Sequence, residues 1–293
     1  MKISQAVDAV KLADKKQADF KWRDWLESAE RIQELYARAS QTQKLAKIQL
    51  GDGKHPVCLL PFSDQHIGGR GVTYSEFRRL TDEILKTKHL YVALVGDLLE
   101  WAVKLRSVAE ACAQIFGPDK QLQFAEDWFK EIKHKVAFCT WDNHEGERSE
   151  KQVGLSLLKH VFAPHCVFFD GIGHADVTVG KQTYLIAASH KFRGHSYLNA
   201  THAGARYMRF QGVDREIAIM GDIHTPAFSM YYDGPKARLS LVAGTLNINS
   251  VYAGRYFSIF TQPQFPCIEL DPTEHRFTPF ANLGEWKKCS GRS

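Results

Sequence analysis

The sequence predicts an α/β protein, and three observations carry that prediction. From residue 57 onward, short apolar runs alternate with stretches of helical periodicity, the pattern of βαβ units and a largely parallel sheet. Beyond residue 173 the pattern changes to closely spaced strands, with one helical stretch at 202–211. The composition, 44% hydrophobic and 24% charged over 293 residues, is ordinary for a globular chain and sufficient for a sizeable core.

Residues 1–45 read as a helical appendage. Trp25, Ala29, Ile32 and Tyr36 recur at helical spacing among Glu27, Glu30, Arg31, Glu34 and Arg38, and no glycine or proline interrupts before Gly51 and Pro56. The cluster Phe20, Lys21, Trp22, Arg23, Asp24 and Trp25 mixes aromatic and basic residues. It can anchor the helix on its own domain or stack on nucleic acid. Gly51-Asp52-Gly53 then turns the chain between strands at 46–50 and 56–63.

Residues 46–293 read as one domain. The strand ending near 63 leads to a helix at 73–87, opened by Thr73 or Ser75. A strand at 90–95 leads to helical stretches 101–116 and 120–134, parted by Gly117-Pro118, and a strand at 135–140 leads to a helix at 149–162. Segments 174–179 and 182–189 form a hairpin around Gly180-Lys181, followed by strands near 216–220, 227–232, 238–243, 256–260 and 267–270.

Several classes are excluded at this level. No apolar run is long enough to span a membrane, and no apolar leader follows Met1, so a cytoplasmic location is expected. The cysteines at 58, 112, 139, 166, 267 and 289 form no C-x-x-C pair, which disfavours cysteine-ligated zinc and predicts reduced thiols. No Walker A loop is present. The charge, 38 basic against 33 acidic residues, is mild and permits a phosphate-bearing partner without demanding one.

Five segments carry the chemistry, each directly after a predicted strand, where open α/β sheets place ligand sites. They are Asp64-Gln65-His66, Gly96-Asp97-Leu98-Leu99-Glu100, Asp142-Asn143-His144-Glu145, His190, and Gly221-Asp222-Ile223-His224. In extended chain, residues i and i+2 share a face, so the Asp-x-His segments converge two ligands. One such triplet is common by chance, and a lone polar residue after a strand is usually a turn former. Taken together, three of these Asp, one Asn and three of these His on successive strand ends can supply two cations with oxygen and nitrogen ligands.

This order of motifs resembles the calcineurin-like metallophosphoesterase superfamily over roughly residues 57–270, and Gly-Asp-Leu-Leu-Glu is similar to the second motif of its DNA-repair exonuclease branch and phage-encoded relatives. The resemblance implies a four-layer αββα sandwich of two mixed sheets flanked by helices. It implies that Asp64, His66 and His224 hold one divalent ion, that Asn143, His190 and Asp222 hold a second, and that Asp97 bridges both. His144 would stabilise the transition state or protonate the leaving oxygen, oriented by Glu100. The expected activity is phosphoester hydrolysis through a metal-bridging hydroxide.

Two departures from the family pattern have consequences. Asp142 stands where the family carries glycine, and Asp tolerates positive φ. Asp222 stands where the family carries histidine; the extra carboxylate would neutralise the centre and favour Mn²⁺, with Mg²⁺, Fe²⁺ or Zn²⁺ as alternatives. Loss of activity through a weakened second site is the bland reading of the same change.

The window 177–213 contains no acidic residue but holds Lys181, Lys191, Arg193, Arg206 and Arg209, with Tyr197, Tyr207 and Phe210 interleaved. Because His190 lies in it, Lys191, Arg193 and His195 are expected to touch substrate phosphate, and DNA is the expected substrate. The alternative for Arg206 and Arg209 is a solvated helix face. A phosphatase or phosphodiesterase for nucleotides or phosphoproteins, and a degenerate binding scaffold, remain as rival functions. The sequence leaves open a homodimer and an ATPase partner.

Overall fold

The structure is a computed structural model that describes residues 44–101, 114–140, 157–194, 196, 198–248 and 263–291, with the helical positions 22, 23, 26, 27, 29–31 and 33. The chain divides into two compact units, residues 1–42 and 43–293. In the first, every described position is helical, and the Arg23 guanidinium lies 4.7 Å over the exposed Trp22 ring.

The second unit contains two six-stranded mixed sheets. The elements are β1 (Leu45–Leu50), β2 (Val57–Phe62), α1 (Tyr74–Lys86), β3 (Leu90–Leu94), α2 (Pro118–Ile132), β4 (Val136–Thr140), α3 (Leu157–Phe162), β5 (Val167–Phe169), β6 (Gly173–Val179) and β7 (Gln182–Ser189). They continue with α4 (His202–Phe210), β8 (Ile217–Met220), β9 (Ala227–Asp233), β10 (Lys236–Val242), β11 (Cys267–Leu270), β12 (Phe277–Phe280) and α5 (Leu283–Ser290). One sheet runs β1-β6-β7-β8-β10-β9, the other β12-β11-β2-β3-β4-β5.

Alternation along β2 explains the layering. Cys58, Leu60 and Phe62 pack among Phe77, Leu80 and Ile84 of α1 and Trp128, Phe129 and Ile132 of α2. Val57 and Leu59 face the other way, into a core shared with Val177, Ile186, Ile217 and Leu241 of the second sheet. The outer face of that sheet is covered by Ala203, Tyr207 and Met208 of α4. The order is therefore helices, sheet, sheet, helix, the expected four layers. A strand buried on both faces reads as a continuous apolar run, which is why Val-Cys-Leu-Leu-Pro-Phe shows no alternation.

Pro61 sits inside this central strand without costing a ladder bond. The Cys58 amide points toward β3, donating to the His89 carbonyl, so by alternation residue 61 faces β11. The ladder with β11 ends at Leu59. The missing N–H therefore lies past the last pair.

Most described elements fall where the periodicity predicts, and the exceptions have physical causes. β5 is three residues long, too short for a period. α5 contains Gly284 and buries only Leu283 and Trp286, so its apolar stripe is faint. Its start was nonetheless readable: the Asn282 side chain accepts from the Glu285 amide at 2.9 Å, and the Glu285 carboxylate accepts from the Ala281 amide at 2.7 Å. Of the helix expected at 101–116, the described residues 114–116 are non-helical, and Gln114 bridges Gly69 instead. Of the helix expected at 149–162, the described part is helical from Leu157. The strand expected at 256–260 lies outside the described residues.

Candidate metal centre

β2, β3 and β4 run parallel, as do β7 and β8, so the described motifs after β2, β3, β7 and β8 come to one edge of the sandwich. Beyond the strands the loops stay paired. The amides of Asp64 and His66 donate to the carbonyls of Gly96 and Asp97 at 3.1 and 3.0 Å, and the Gly221 amide donates to the His190 carbonyl at 3.1 Å. The segment after β10 closes the edge: the Thr245 hydroxyl and the Leu246 amide both donate to the Asp64 carbonyl, at 2.8 and 3.1 Å.

Backbone strain concentrates here. Among the described residues, seven non-glycine positions have positive φ, and six of them are Asp64, His66, Asp97, Trp101, Asp222 and His224, with φ between 46° and 64°. Such conformations persist where the surroundings over-determine them, and they cluster at functional sites. Gly221 answers a different need, close approach. A Cβ there would stand 2.0 Å from Ser63 Oγ and 2.6 Å from Asp64 Oδ2.

At this edge two groups have ligand atoms within 4.8 Å of one another: Asp64, His66 and His224, and Asp64, Asp97 and His190. Asp64 belongs to both. Its Oδ2 accepts from Ser63 Oγ at 2.6 Å and from the Asp222 amide at 3.2 Å. Its Oδ1 is buried and accepts no hydrogen bond. Three imidazole Nε2 atoms stand around Oδ1: His224 at 3.1 Å, His66 at 3.8 Å and His190 at 3.9 Å. Asp97 Oδ2 lies 3.3 Å from His190 Nε2 and 4.0 Å from His66 Nε2. A buried carboxylate oxygen without a donor, ringed by imidazole nitrogens, fits divalent cations of borderline hardness.

The ligand atoms are aimed by groups behind them. His190 Nδ1 lies 2.7 Å from the Val95 carbonyl, which requires the proton on Nδ1 and leaves Nε2 as the ligand atom. His66 Nδ1 lies 3.2 Å from Glu100 Oε2, an ion-pair distance that favours a proton on Nδ1. Burial alone would raise Asp64, but the His224 and His190 imidazoles hold its carboxyl well below the usual range. Burial alone would lower His66, but Asp64 and Glu100 push it up to about 10. A cation bound there would compete with the proton that Asp64 and Glu100 favour on His66.

The predicted residues are distributed as follows. Asp64, His66, Asp97, His190 and His224 come together. Glu100 backs His66; its expected partner His144, the expected ligand Asn143 and the turn residue Asp142 lie outside the described residues, as does His195. Where the resemblance puts Asp222 among the ligands and Lys191 on the substrate, the structure pairs the two with each other, Lys191 Nζ to Asp222 Oδ2 at 2.8 Å. Asp222 belongs to neither ligand group. Arg193 is exposed, and Arg206 packs across Gly194 in the loop after His190. Lys181 is remote: it sits at the hairpin tip, the eight-residue strand β7 away from His190, about 26 Å at ~3.3 Å per residue. Sequence reasoning gave no role to Ser63, the Val95 carbonyl or Thr245. Ser63 precedes a motif and was within reach; a backbone carbonyl has no sequence signal.

No described helix is long and apolar enough to cross a membrane. No protein-family model matches the chain, and no curated protein matches it. Among solved structures, it is similar to Vacuolar Protein Sorting 29 from Cryptosporidium parvum, at 14% identity and a TM-score of 0.40 over 78% of this chain and 99% of that one. It is similar to a metallophosphoesterase from Sphaerobacter thermophilus, at 10% identity and a TM-score of 0.40 over 80% of this chain and 93% of that one. Wild-type Vps29 from Entamoeba histolytica, complexed with zinc, matches at 12% identity and a TM-score of 0.37 over 76% of this chain and 97% of that one.

Proposed function

We propose that the chain is a metal-dependent phosphoester hydrolase of the calcineurin-like kind, acting as a phosphodiesterase or nuclease on DNA. The observation that carries the reading is Asp64 Oδ1, buried, without a hydrogen-bond donor, and faced by three imidazoles at 3.1–3.9 Å. Asp64, His66 and His224 would hold one ion and Asp97 and His190 a second, Asp64 lying within reach of both. Divalent ions held there would polarise a phosphoryl oxygen and generate the nucleophile from water.

The protein's own residues do the rest. The Val95 carbonyl and Glu100 stand behind His190 and His66 with Nε2 inward, so these two imidazoles are already turned toward the ions they would hold. Lys191, Arg193 and Arg206, exposed on the loop and helix that follow His190, supply positive charge for a phosphate backbone. Lys191 would exchange Asp222 for substrate phosphate, and His144 would serve the leaving oxygen. The preference for Mn²⁺ depends on Asp222 joining the ligands; paired with Lys191, it leaves two carboxylates and three imidazoles, a set that also suits Zn²⁺.

The test is hydrolysis of labelled single- and double-stranded DNA and of a chromogenic diester, each with Mn²⁺, Mg²⁺ and Zn²⁺. DNA degradation fastest with Mn²⁺ is the expected result. Hydrolysis of small esters alone would replace DNA as the substrate, best activity with Zn²⁺ would overturn the metal preference, and inertness everywhere would overturn the enzyme.

A further inference from the structure

The seventh positive-φ residue lies at the other end of the sandwich. His89, at φ 59°, immediately precedes β3, and its side chain turns toward the loop that precedes β2. There Asp52 forms a tight turn: its Oδ1 accepts from the amides of Lys54 and His55 at 3.0 and 3.1 Å. That leaves Oδ2 for two imidazoles, His55 Nδ1 at 2.8 Å and His89 Nε2 at 3.6 Å. The two rings stack at 5.0 Å with 17° between their planes. Gly51, at φ 71°, leaves the room: a Cβ there would meet Val57 Cγ2 at 2.7 Å and approach His89 Nδ1.

We infer that Asp52, His55 and His89 form a second, separate divalent-cation site that takes Zn²⁺. One ligand atom from each lies within 4.8 Å of the others. Zn²⁺ bonds of about 2.0–2.1 Å to N and O in a tetrahedron set neighbouring ligand atoms about 3.3 Å apart, and the observed 2.8 and 3.6 Å bracket that spacing. Two imidazoles and one carboxylate with a fourth position open suit Zn²⁺; the imidazoles disfavour Mg²⁺ and Ca²⁺. The carboxylate is already fixed by its turn, and His89 is held at a positive φ that few non-glycine residues adopt. The bound ion would tie the 51–56 loop to the turn before β3, fastening two loops distant in sequence.

The site is independent of the hydrolytic reading, and one experiment separates them. The full-length protein, His55→Ala and His89→Asn are dialysed to equilibrium against Zn²⁺, and bound zinc is counted, with circular dichroism to confirm folding. His55 is 55% exposed on its side chain, so its truncation removes little packing, and Asn tolerates positive φ at 89. The expected result is one zinc equivalent fewer in each variant, with hydrolytic activity unchanged. Equal zinc in wild type and in either folded variant would overturn the inference, leaving a hydrogen-bonded Asp-His pair beside a stacked ring.

Discussion

The two ends of the same parallel strands carry two different kinds of histidine–carboxylate cluster. At the C-terminal ends, Asp64, His66, Asp97 and His190 are buried, and Asp64 and His190 are held from behind by Ser63 and the Val95 carbonyl. At the N-terminal ends, Asp52 and His55 are exposed, and the carboxylate is set by a local turn. Burial makes the first cluster expensive without a cation and so tightly specified. Exposure makes the second tolerant of an empty state. The contrast teaches that equal ligand spacing does not mean equal commitment to metal; the surroundings decide.

The largest effects are expected at the first cluster. Asp97→Asn and His66→Ala should each lower DNA hydrolysis on the order of 10²–10³-fold, as loss of a principal charge-stabilising group does. Steady-state rates at saturating Mn²⁺ check this, and rates within a factor of a few of wild type would remove both residues from the centre. Glu100→Gln acts one step back. It keeps the shape but loses the charge against His66 Nδ1, and should weaken metal binding about 10–100-fold. A metal titration of activity reads the shift; an unchanged midpoint would mean that Glu100 does not orient His66.

Gly221→Ala tests the packing of the same edge. The added methyl meets Ser63 Oγ and Asp64 Oδ2, so the loop must move, at about 1–3 kcal/mol of stability. Thermal unfolding measures it, and an unaltered midpoint would mean that the backbone approach is not needed.

The smallest effect belongs to the opposite end. Asp271 Oδ1 accepts from the amides of Thr273 and Glu274 at 2.9 and 3.0 Å, and Oδ2 accepts from Arg276 at 2.7 Å. Burial would raise this carboxyl, but those donors hold it well below the usual range. A depressed carboxylate stabilises the fold above its unfolded value, near pH 3.9, and the contribution fades as pH falls through the lower folded value. Asp271→Asn should therefore cost about 1–2 kcal/mol at neutral pH and progressively less below about pH 4. Denaturant unfolding at several pH values checks the sign, and a difference that grows on acidification would contradict it.

Much of this was legible in the chain. The alternation from residue 57 specifies the parallel half because buried strands and amphipathic helices leave different periods. The Asp-x-His segments announce themselves because strand ends are where side chains converge. What the sequence does not carry is who turns toward whom. Lys191 and Asp222 lie 31 positions apart and pair only because β7 and β8 end side by side. Glu100 turns to His66 because their loops run as a continued ladder, the Glu100 amide donating to the Ile67 carbonyl at 2.9 Å. The charge of the 177–213 window is real in sum, but the hairpin sends Lys181 to the far end. Nor did the glycine-flanked Asp52 register as more than a turn, because His89 reaches it from another loop.

Asp64 lies in both ligand groups, so one substitution should empty the whole centre. Equilibrium dialysis of wild type and Asp64→Asn against Mn²⁺ tests this most directly. The wild type should bind two equivalents and the variant neither. Equal Mn²⁺ in the two proteins would contradict this.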